Sequence, residues 1–447
     1  MAVCFNKKFE INPDDINLLV FDLDGTLFQS DRANTEAVKK ALSEMYPSIS
    51  IKDEDIVRHL GEPSEQFYKN ILPTDKLSFW GKFRGKVREQ YKISIPQFGN
   101  LFPGVADTLI TLKKRGYTLA LYSNCSVEYF DTVLSVFDFA KDFDFIECNQ
   151  KNNLTKVELI RKIKSQFFGL KGSVIGDRKH DIEAAAENGF LSIGVLSGYG
   201  GEEAERANIT IDSPQELLEI FDRRLPIFEN IFAEIEKRKQ KERAFILGVN
   251  GIDTSGKTKF AEALGKFLLS KKHKVQVINL DDFHNPKKIR YSGENQAENY
   301  YNKSFDIQTI VDKLLIPIHQ KGKFNVLLNT LNLQTDKYEN QKSYNFDNDT
   351  IVIFEGVFLF RKELSPFIDY KIFVEIPFEE SKNRARVRDV PLYGEEVLKK
   401  YDEKYLPAQK RYVQEFPPFK IADIIIENSN WEYPKIKKEF AAKGQNL

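Results

Sequence analysis

The sequence predicts an α/β protein made of two doubly wound parallel-sheet domains. Short apolar runs alternate with longer helical patterns along its 447 residues, as in parallel strands joined by crossover helices. The alternation changes near FDRRLPIF, and a second series of strands and helices starts after it. We therefore expect one domain over residues 1–222 and another over residues 223–447.

The composition is that of an ordinary globular protein. Hydrophobic residues make up 41% and charged residues 30%, and 66 basic side chains balance 66 acidic ones. Zero net charge argues against a nucleic-acid partner, because such proteins usually carry a basic excess. We find no signal peptide, no apolar run of about 20 residues and no metal-type cysteine spacing. We expect a cytoplasmic protein without a membrane partner, and its oligomeric state stays open.

The first half contains five strand candidates in order: LLVFD, TLALYSN, FDFIECN, GSVIGD and LSIGVL. The stretch between the first two, residues 31–98, lacks a clear strand. Its segments NTEAVKKALSEMY and SEQFYKNIL are typical of helices. We therefore expect a helical insertion at residues 31–98.

A helix with Ile227, Ile231 and Ile235 on one stripe opens the second half. Its charged tail, EKRKQKER, is interpreted as a solvated helix face rather than a nucleic-acid patch. Five strand candidates follow: AFILGVN, KVQVINLDD, TIVIFEG, YKIFVEI and ADIIIEN. This order favours a second parallel sheet.

The stretch FDLDGTLF places two acids at the end of the first strand. Asp22 lies at the carboxyl end, where open α/β sheets bind ligands, and Asp24 follows close enough to face the same site. A carboxylate that attacks phosphorus needs a second group to protonate the leaving oxygen, and a metal to offset charge. The pair suits a nucleophile and its acid/base partner, although an acidic turn would look alike.

Further polar residues follow the later strands in an order that suits the same chemistry. Ser123 and Asn124 end TLALYSN and offer a hydroxyl and an amide to phosphoryl oxygens. Lys156 opens a helix and can offset the charge on nucleophile and phosphate. Asp177 and Asp181 follow GSVIG and form a sensible pair of Mg²⁺ ligands.

These four motifs resemble the haloacid dehalogenase superfamily, specifically its phosphoglycolate-phosphatase-like branch, over residues 18–220. The resemblance implies a Rossmann-like core, residues 31–98 as a helical cap that favours small substrates, and Asp24 as a mark of phosphatases. It further implies Asp22 as nucleophile, Asp24 as general acid/base, Ser123 and Lys156 as phosphate contacts, and Asp22, Asp24, Asp177 and Asp181 around Mg²⁺. Lys151 remains an alternative to Lys156, because the usual following proline is missing. A phosphatase-shaped structural domain is the inactive alternative.

The second half begins with a strand followed directly by the glycine-rich loop GVNGIDTSGKT. Backbone N–H groups of such a loop wrap a β-phosphate, its lysine reaches the β/γ oxygens, and its final hydroxyl binds Mg²⁺. We therefore expect nucleotide binding by Gly251, Asp253, Thr254, Ser255, Gly256, Lys257 and Thr258.

The next motifs favour a kinase. Asp281 and Asp282 end a strand, where one carboxylate can accept the proton of an attacking hydroxyl. Successive strand residues point to opposite faces, so only one should reach the acceptor, and Asp281 is preferred. Glu355 ends TIVIFEG and can organise Mg²⁺. Arg384 and Arg388 lie one helical turn apart and either cover the transferring phosphoryl group or form a solvated face.

These features look like the uridine kinase/phosphoribulokinase family over about residues 225–435. The resemblance implies ATP as phosphoryl donor, a nucleoside-type or sugar acceptor, Asp281 as base, and His284 beside the acceptor. Arg290, Tyr300 and Tyr301 are further acceptor contacts, with structural roles as the alternative. The segment DDFHNPKKIRYSGENQAENYYNKSFD departs from standard uridine kinases, which leaves the acceptor open.

Two sites of opposite chemistry predict a bifunctional metabolite-processing enzyme, a kinase fused to a small-molecule phosphomonoesterase. A polynucleotide kinase/phosphatase is the second hypothesis, and a nucleotide-responsive regulator is the third. Zero net charge, the long cap and the uridine-kinase-like half count against the second. Acids present at both sites count against the third.

Overall fold

Each half of the chain folds around its own parallel sheet. The computed structural model describes residues 4–5, 13–62, 64–148 and 154–439. Contacts between residues divide the chain into two units, Met1–Asp222 and Arg223–Leu447. Both contain parallel strands joined by helices, so the predicted α/β class is confirmed. Within the described ranges, no helix is long and apolar enough to cross a membrane.

The strands of the N-terminal unit are β1 (Cys4–Phe5), β2 (Ile16–Asp22), β3 (Phe28–Gln29), β4 (Asn100–Leu101), β5 (Thr118–Ser123), β6 (Phe145–Cys148), β7 (Lys171–Gly176), β8 (Leu191–Val195) and β9 (Ile209–Ile211). The described residues build a sheet in the order β1-β9-β8-β7-β2-β5-β6, in which β1 is antiparallel to β9. Strand β2 lies inside this sheet, parallel to β5 and β7, and its apolar run is buried on both faces.

The helices of this unit are α1 (Asp31–Met45), α2 (Asp53–Val57), α3 (Ser64–Ile71), α4 (Trp80–Phe98), α5 (Val105–Lys114), α6 (Val127–Phe137), α7 (Lys156–Gln166), α8 (Lys179–Asn188) and α9 (Leu217–Ile220). Helices α1 to α4 occupy the segment 31–98, where the sequence predicts a helical insertion. Strands β3 and β4 pair at the two ends of this segment. The insertion shares one apolar cluster with the sheet, in which Phe83 and Val87 are fully buried.

The strands of the C-terminal unit are β10 (Phe245–Gly251), β11 (Lys274–Asn279), β12 (Phe324–Asn332), β13 (Lys337–Phe346), β14 (Thr350–Gly356), β15 (Tyr370–Glu375), β16 (Ile424–Glu427) and β17 (Lys435–Glu439). The main sheet has the order β11-β14-β10-β15-β16-β17, and β17 runs antiparallel to β16. Strands β12 and β13 form a separate antiparallel ribbon that the sequence did not predict.

The helices of this unit are α10 (Leu225–Arg238), α11 (Lys257–Ser270), α12 (Lys287–Arg290), α13 (Gln296–Lys303), α14 (Ile307–Ile310), α15 (Ile316–Gln320), α16 (Phe378–Arg388), α17 (Val390–Tyr393), α18 (Glu396–Lys400), α19 (Leu406–Glu415) and α20 (Pro418–Ile421). The apolar stripe of α10 is buried, as its periodicity predicts. In the charged run that begins within the last turn of α10, Arg238 lies 2.9 Å from Asp423 and Arg243 lies 2.5 Å from Asp369. Part of the run therefore anchors the unit through ion pairs.

Candidate active sites

The first site lies at the carboxyl end of β2. Asp22 is the last residue of this strand and is 2% exposed. The chain then turns at Gly25, whose φ of +79° is in the left-handed region. A Cβ at Gly25 would lie 2.4 Å from Asp177 Oδ2, so the turn requires glycine for both reasons. This tight turn keeps Asp24 beside the strand end.

Lys156 connects two of the acids. It begins α7, and its Nζ lies 3.0 Å from Asp22 Oδ1 and 2.5 Å from Asp181 Oδ1. The Tyr122 hydroxyl donates to the same Asp181 oxygen at 2.5 Å. Burial acts to lower the pKa of Lys156, but the two carboxylates outweigh it and raise that pKa. The lysine therefore stays charged and opposes the effect of burial, which raises the pKa of Asp22.

Asp22, Asp177 and Asp181 fit a divalent cation. Each offers an oxygen within 4.8 Å of the others, and all three are buried. Asp177 Oδ2 accepts from the N–H groups of Tyr199 at 2.6 Å and Gly200 at 3.1 Å. Its Oδ1 is buried without a hydrogen-bond partner among the described residues, and burial raises the pKa of Asp177 to about 7. A bound Mg²⁺ would satisfy that oxygen and offset the clustered charge.

The carboxylate of Asp24 does not belong to this group. Its Oδ1 accepts a hydrogen bond from the Tyr129 hydroxyl at 2.5 Å. Burial raises the pKa of Asp24, and the bond from Tyr129 acts in the opposite direction. A raised pKa suits a group that must hold a proton before it donates one. Lys151, the alternative to Lys156, lies outside the described residues.

A pocket opens at Asp22 and Asp24 and includes most of the predicted phosphate contacts. Ser123, Asn124 and Lys156 line its sheet side, and Phe67, Tyr68 and Tyr91 of the insertion line the other. Tyr91 donates to Asn34 Oδ1 at 2.9 Å, and Asn34 Nδ2 donates to the Tyr129 hydroxyl at 3.3 Å. Because Tyr129 in turn binds Asp24, a chain of hydrogen bonds joins the insertion to the acid.

Arg178 holds the insertion near the metal-type acids. It follows Asp177, is 8% exposed, and donates to the carbonyl oxygens of Arg58 at 3.1 Å and Leu60 at 2.5 Å. Tyr199 makes a second link, because its hydroxyl accepts from the N–H groups of Ser30 and Asp31 at the start of α1. The sequence analysis gave neither residue a role, although Arg178 lies between Asp177 and Asp181 in the fourth motif.

We expect Arg178→Ala to raise the KM for a phosphate ester by about tenfold or more. The change leaves two carbonyl groups of the insertion without their charged donor, and such bonds are each worth about 1.5–3 kcal/mol. Steady-state phosphate release measures the effect, and Arg206→Ala, at an exposed position of the same unit, is the matched control. Equal KM values for both variants would contradict this role.

The second site is the loop between β10 and α11. Gly251 ends β10, and a Cβ there would lie 2.5 Å from Ser255 Oγ. Thr254 and Gly256 have φ values of +58° and +87°, so the loop winds tightly before Lys257 begins α11. A strand, a tight glycine-rich loop and a helix N-terminus in this order form an anion-binding cradle.

Two predicted residues, Thr254 of the loop and Arg384 of α16, stabilise the loop through hydrogen bonds to carbonyl groups. The Thr254 hydroxyl donates to the carbonyl oxygens of Asp253 at 2.7 Å and Ser381 at 2.9 Å. Arg384 donates to the carbonyl oxygens of Thr254 at 3.2 Å and Asn428 at 2.6 Å. In this conformation Arg384 therefore braces the loop, which is neither of the two predicted roles.

Thr258 and Glu355 come together as predicted for a metal position. The Thr258 hydroxyl lies 3.3 Å from Glu355 Oε2. Burial raises the pKa of Glu355 to about 7, and the Lys257 ammonium acts to lower it. A hydroxyl, a carboxylate and the loop lysine thus face the same space. This donor set fits Mg²⁺ beside a bound triphosphate.

Asp281 and Asp282 follow β11 in a 3₁₀ turn, Leu280–Phe283, and are not at the strand end itself. The strand stops because the Asn279 side chain accepts the N–H of Asp281 at 2.8 Å. The argument from strand alternation therefore does not apply. The two carboxylates still differ, because Asp282 lies 3.3 Å from Lys342, whereas the charge of Asp281 acts to raise the pKa of Glu355.

The remaining predicted residues have varied surroundings. A ring nitrogen of His284 lies 2.7 Å from the Asp281 carbonyl oxygen, and the Tyr300 hydroxyl donates to Asp253 at 3.3 Å. Three others pair elsewhere: Arg290 with Asp336, Tyr301 with Glu415, and Arg388 with Asp389. His284 and Tyr300 therefore contact residues of the predicted base and loop, and Tyr301 is tied to an acid of α19.

Comparison with known proteins assigns the first half. Residues 19–195 match the haloacid dehalogenase-like hydrolases. A phosphoglycolate phosphatase of Vibrio parahaemolyticus is 30% identical over 223 residues, which cover 46% of this chain and 96% of that protein. A 5'-nucleotidase of Pseudomonas aeruginosa is 29% identical over 198 residues, 42% of this chain and 87% of that protein. A solved structure of a possible uridine kinase from Bacillus stearothermophilus is 24% identical, covering 46% of this chain and 98% of that chain with a TM-score of 0.38.

The site at the end of β2, the acids that fit Mg²⁺, the matching family and the phosphoglycolate phosphatase relative agree with one another. Through its N-terminal unit, the chain belongs to the haloacid dehalogenase-like hydrolase family.

Proposed function

We propose a bifunctional enzyme: a Mg²⁺-dependent phosphomonoesterase in the N-terminal unit and an ATP-dependent kinase in the C-terminal unit. The hydrolase class of the N-terminal unit follows from its family. The observation that supports the proposed chemistry is that, in each unit, a lysine and a carboxylate come together where a buried parallel strand ends. These pairs are Lys156 with Asp22 in one and Lys257 with Glu355 in the other.

The phosphatase reaction begins with Asp22. Its carboxylate attacks the phosphorus of a monoester, an aspartyl phosphate forms, and the ester P–O bond breaks. Asp24 gives its proton to the leaving oxygen and then takes one from the water that hydrolyses the aspartyl phosphate. Lys156, at 3.0 Å from Asp22, favours the ionised nucleophile. Mg²⁺ held by Asp22, Asp177 and Asp181 would offset the negative charge of the phosphoryl group.

The pocket supports a small phosphate ester as substrate. The insertion lines one side of it with aromatic side chains and is held by Arg178. Relatives named phosphoglycolate phosphatase and 5'-nucleotidase also point to small esters. A nucleic-acid end is the second hypothesis, and its observable sign would be salt-dependent binding of DNA or RNA.

The kinase reaction uses the C-terminal loop. Lys257 and the loop N–H groups bind the phosphates of ATP, and Thr258 with Glu355 would hold its Mg²⁺. Asp281 takes the proton of an acceptor hydroxyl, the hydroxyl oxygen bonds to the γ-phosphorus, and ADP leaves. The acceptor is a nucleoside-type or sugar molecule. Binding of ATP without turnover would favour the regulator hypothesis instead.

We expect Asp281→Asn to lower the transfer rate by about 10²–10⁴-fold, the usual contribution of a general base. Asparagine keeps the size of the side chain but cannot take the proton, so ATP binding should change little. Asp282→Asn is the matched control, because that neighbouring carboxylate is paired with Lys342. Both rates are measured at saturating ATP. A large loss for Asp282→Asn beside a mild loss for Asp281→Asn would reverse the assignment.

A two-part screen of the purified full chain with Mg²⁺ tests the proposal as a whole. Phosphate release is measured across phosphomonoesters. ADP release is measured with ATP and a set of nucleosides and sugars that includes their phosphate esters and acids. Activity in both arms is expected. If the folded protein releases no product in one of the two assays, the corresponding activity is ruled out.

A further inference from the structure

Lys404 is a buried cation that has no acidic partner among the described residues. It lies in the π-helical turn Tyr401–Tyr405 before α19 and is 8% exposed. Its Nζ lies 4.9 Å from the ring centre of Tyr291, 5.0 Å from that of Tyr405 and 5.5 Å from that of Tyr300. Across the described residues no carboxylate forms an ion pair with it, and burial lowers the pKa of Lys404. Buried charges are normally paired, because leaving water is costly.

A second cation lies on the same aromatic ring. The Arg290 guanidinium is 5.5 Å from the ring centre of Tyr291. Asp336 binds one of its terminal nitrogens at 3.3 Å, but its Nε is buried and has no hydrogen-bond partner within the described ranges. Two cations thus share one ring, and each has unused capacity to bind an anion.

Intervening aromatic residues connect these cations to the phosphate loop and to the proposed base. Tyr300, one of the rings beside Lys404, donates to Asp253 of the loop at 3.3 Å. His284 contacts the Asp281 carbonyl oxygen. Burial lowers the pKa of His284, and the charges of Arg290 and Lys404 act in the same direction. Phe305 connects the two groups, because its ring centre lies 6.3 Å from that of Tyr300 and 4.7 Å from that of His284.

We propose that Lys404 and Arg290 form an anion-binding subsite that holds an acidic group of the kinase acceptor. A bound phosphate or carboxylate supplies the missing partner of the ammonium and accepts from the free Nε. The subsite narrows the acceptor to an acidic sugar or a nucleotide-like molecule and disfavours free nucleosides and free sugars. The inference that this ligand is the acceptor rests on the proposed kinase function. The inference that Lys404 and Arg290 bind an anion does not depend on it.

Pairs of neutral and acidic acceptors test whether the kinase prefers an acidic acceptor. ADP release is measured with free sugars and nucleosides, with the corresponding phosphate esters, and with sugar acids, so that phosphate and carboxylate are distinguished. We expect turnover of acidic acceptors. Lys404→Gln should raise their KM tenfold or more and leave the KM for ATP unchanged, and Lys404→Arg should restore most of the loss. Lys399→Gln, which removes one charge from an exposed position of α18, is the matched control.

A binding experiment separates this subsite from the kinase proposal. Calorimetry with inorganic phosphate, in the presence of Mg²⁺ and a non-hydrolysable ATP analogue, compares Lys404→Gln with Lys399→Gln. The phosphatase site and the loop are the same in both variants, so loss of a phosphate site in Lys404→Gln alone supports the subsite even if no transfer occurs. Equal phosphate binding in both folded variants, or efficient turnover of neutral acceptors that Lys404→Gln does not affect, overturns the subsite and leaves the kinase proposal standing.

Discussion

Asp22→Asn should reduce phosphate release to background, a loss of about 10³-fold or more. The amide cannot attack phosphorus as a carboxylate does, and it also removes one of the three charges that fit Mg²⁺. The variant should still fold, because the amide has the size of the carboxylate. ATP-dependent transfer should continue at nearly the original rate, since the C-terminal unit has its own loop, acids and proposed base.

The matched control is Asp131→Asn, an exposed aspartate of α6 in the same unit. Both variants are assayed for phosphate release at saturating ester and for ADP release in parallel. If Asp22→Asn keeps more than a tenth of the original phosphate release, another residue must be the nucleophile.

Lys257→Ala should lower kcat/KM for ATP-dependent transfer by about 10²–10³-fold, the usual loss when one preorganised charge is removed from a transition state. The ammonium is the loop's own counter-charge to the β/γ oxygens, and it also acts to lower the pKa of Glu355. Without the ammonium, the Glu355 carboxylate becomes easier to protonate. The substitution therefore weakens both the binding of the phosphate oxygens and the proposed metal position. Phosphate release by the N-terminal unit should not change.

Lys266→Ala provides the control, because this lysine is exposed on the same helix, α11. ADP release at several ATP concentrations separates a weaker KM from a slower turnover. Equal turnover in the two alanine variants would show that transfer occurs without this loop.

The strand ends could be predicted because a few local rules decide them. An apolar run fixes each buried strand, and the carboxyl ends of parallel strands meet at one edge of the sheet. Asp22, Ser123 and Asp177 were therefore expected near one another, and Asp22 and Ser123 line the same pocket. The spacing of the glycines likewise predicted the loop before Lys257. These local signals fixed the fold class and most of each candidate site.

Contacts between distant segments could not be predicted in this way. Arg178 binds carbonyl groups about 120 residues earlier in the chain, and carbonyl groups leave no pattern in a sequence. Lys404 looks like any charged residue of a helix until its burial beside Tyr300 and Tyr291 is known. The β12–β13 ribbon was missed because most of β13 is exposed, and its two buried residues, Tyr344 and Phe346, are too few to form a recognisable alternating pattern.

The prediction that β11 continues to Asp281 and Asp282 was wrong for a different reason. The run VQVINLDD looks like one continuous strand, because nothing in its hydrophobic pattern marks an end. The side chain of Asn279 ends it by accepting a hydrogen bond from the N–H of Asp281. A single competing side chain thus replaced the expected alternation with a turn, and the choice between Asp281 and Asp282 now rests on their neighbours.

Tyr199 couples two equilibria, the binding of a metal at Asp177 and the position of the insertion. Its N–H binds the Asp177 carboxylate, and its hydroxyl accepts from the first N–H groups of α1, where the insertion begins. If Mg²⁺ at Asp177 favours the closed insertion by a given factor, closure must raise the affinity for Mg²⁺ by the same factor. Metal and ester would therefore bind cooperatively, and the free Mg²⁺ concentration would set the fraction of molecules whose pocket is closed to water.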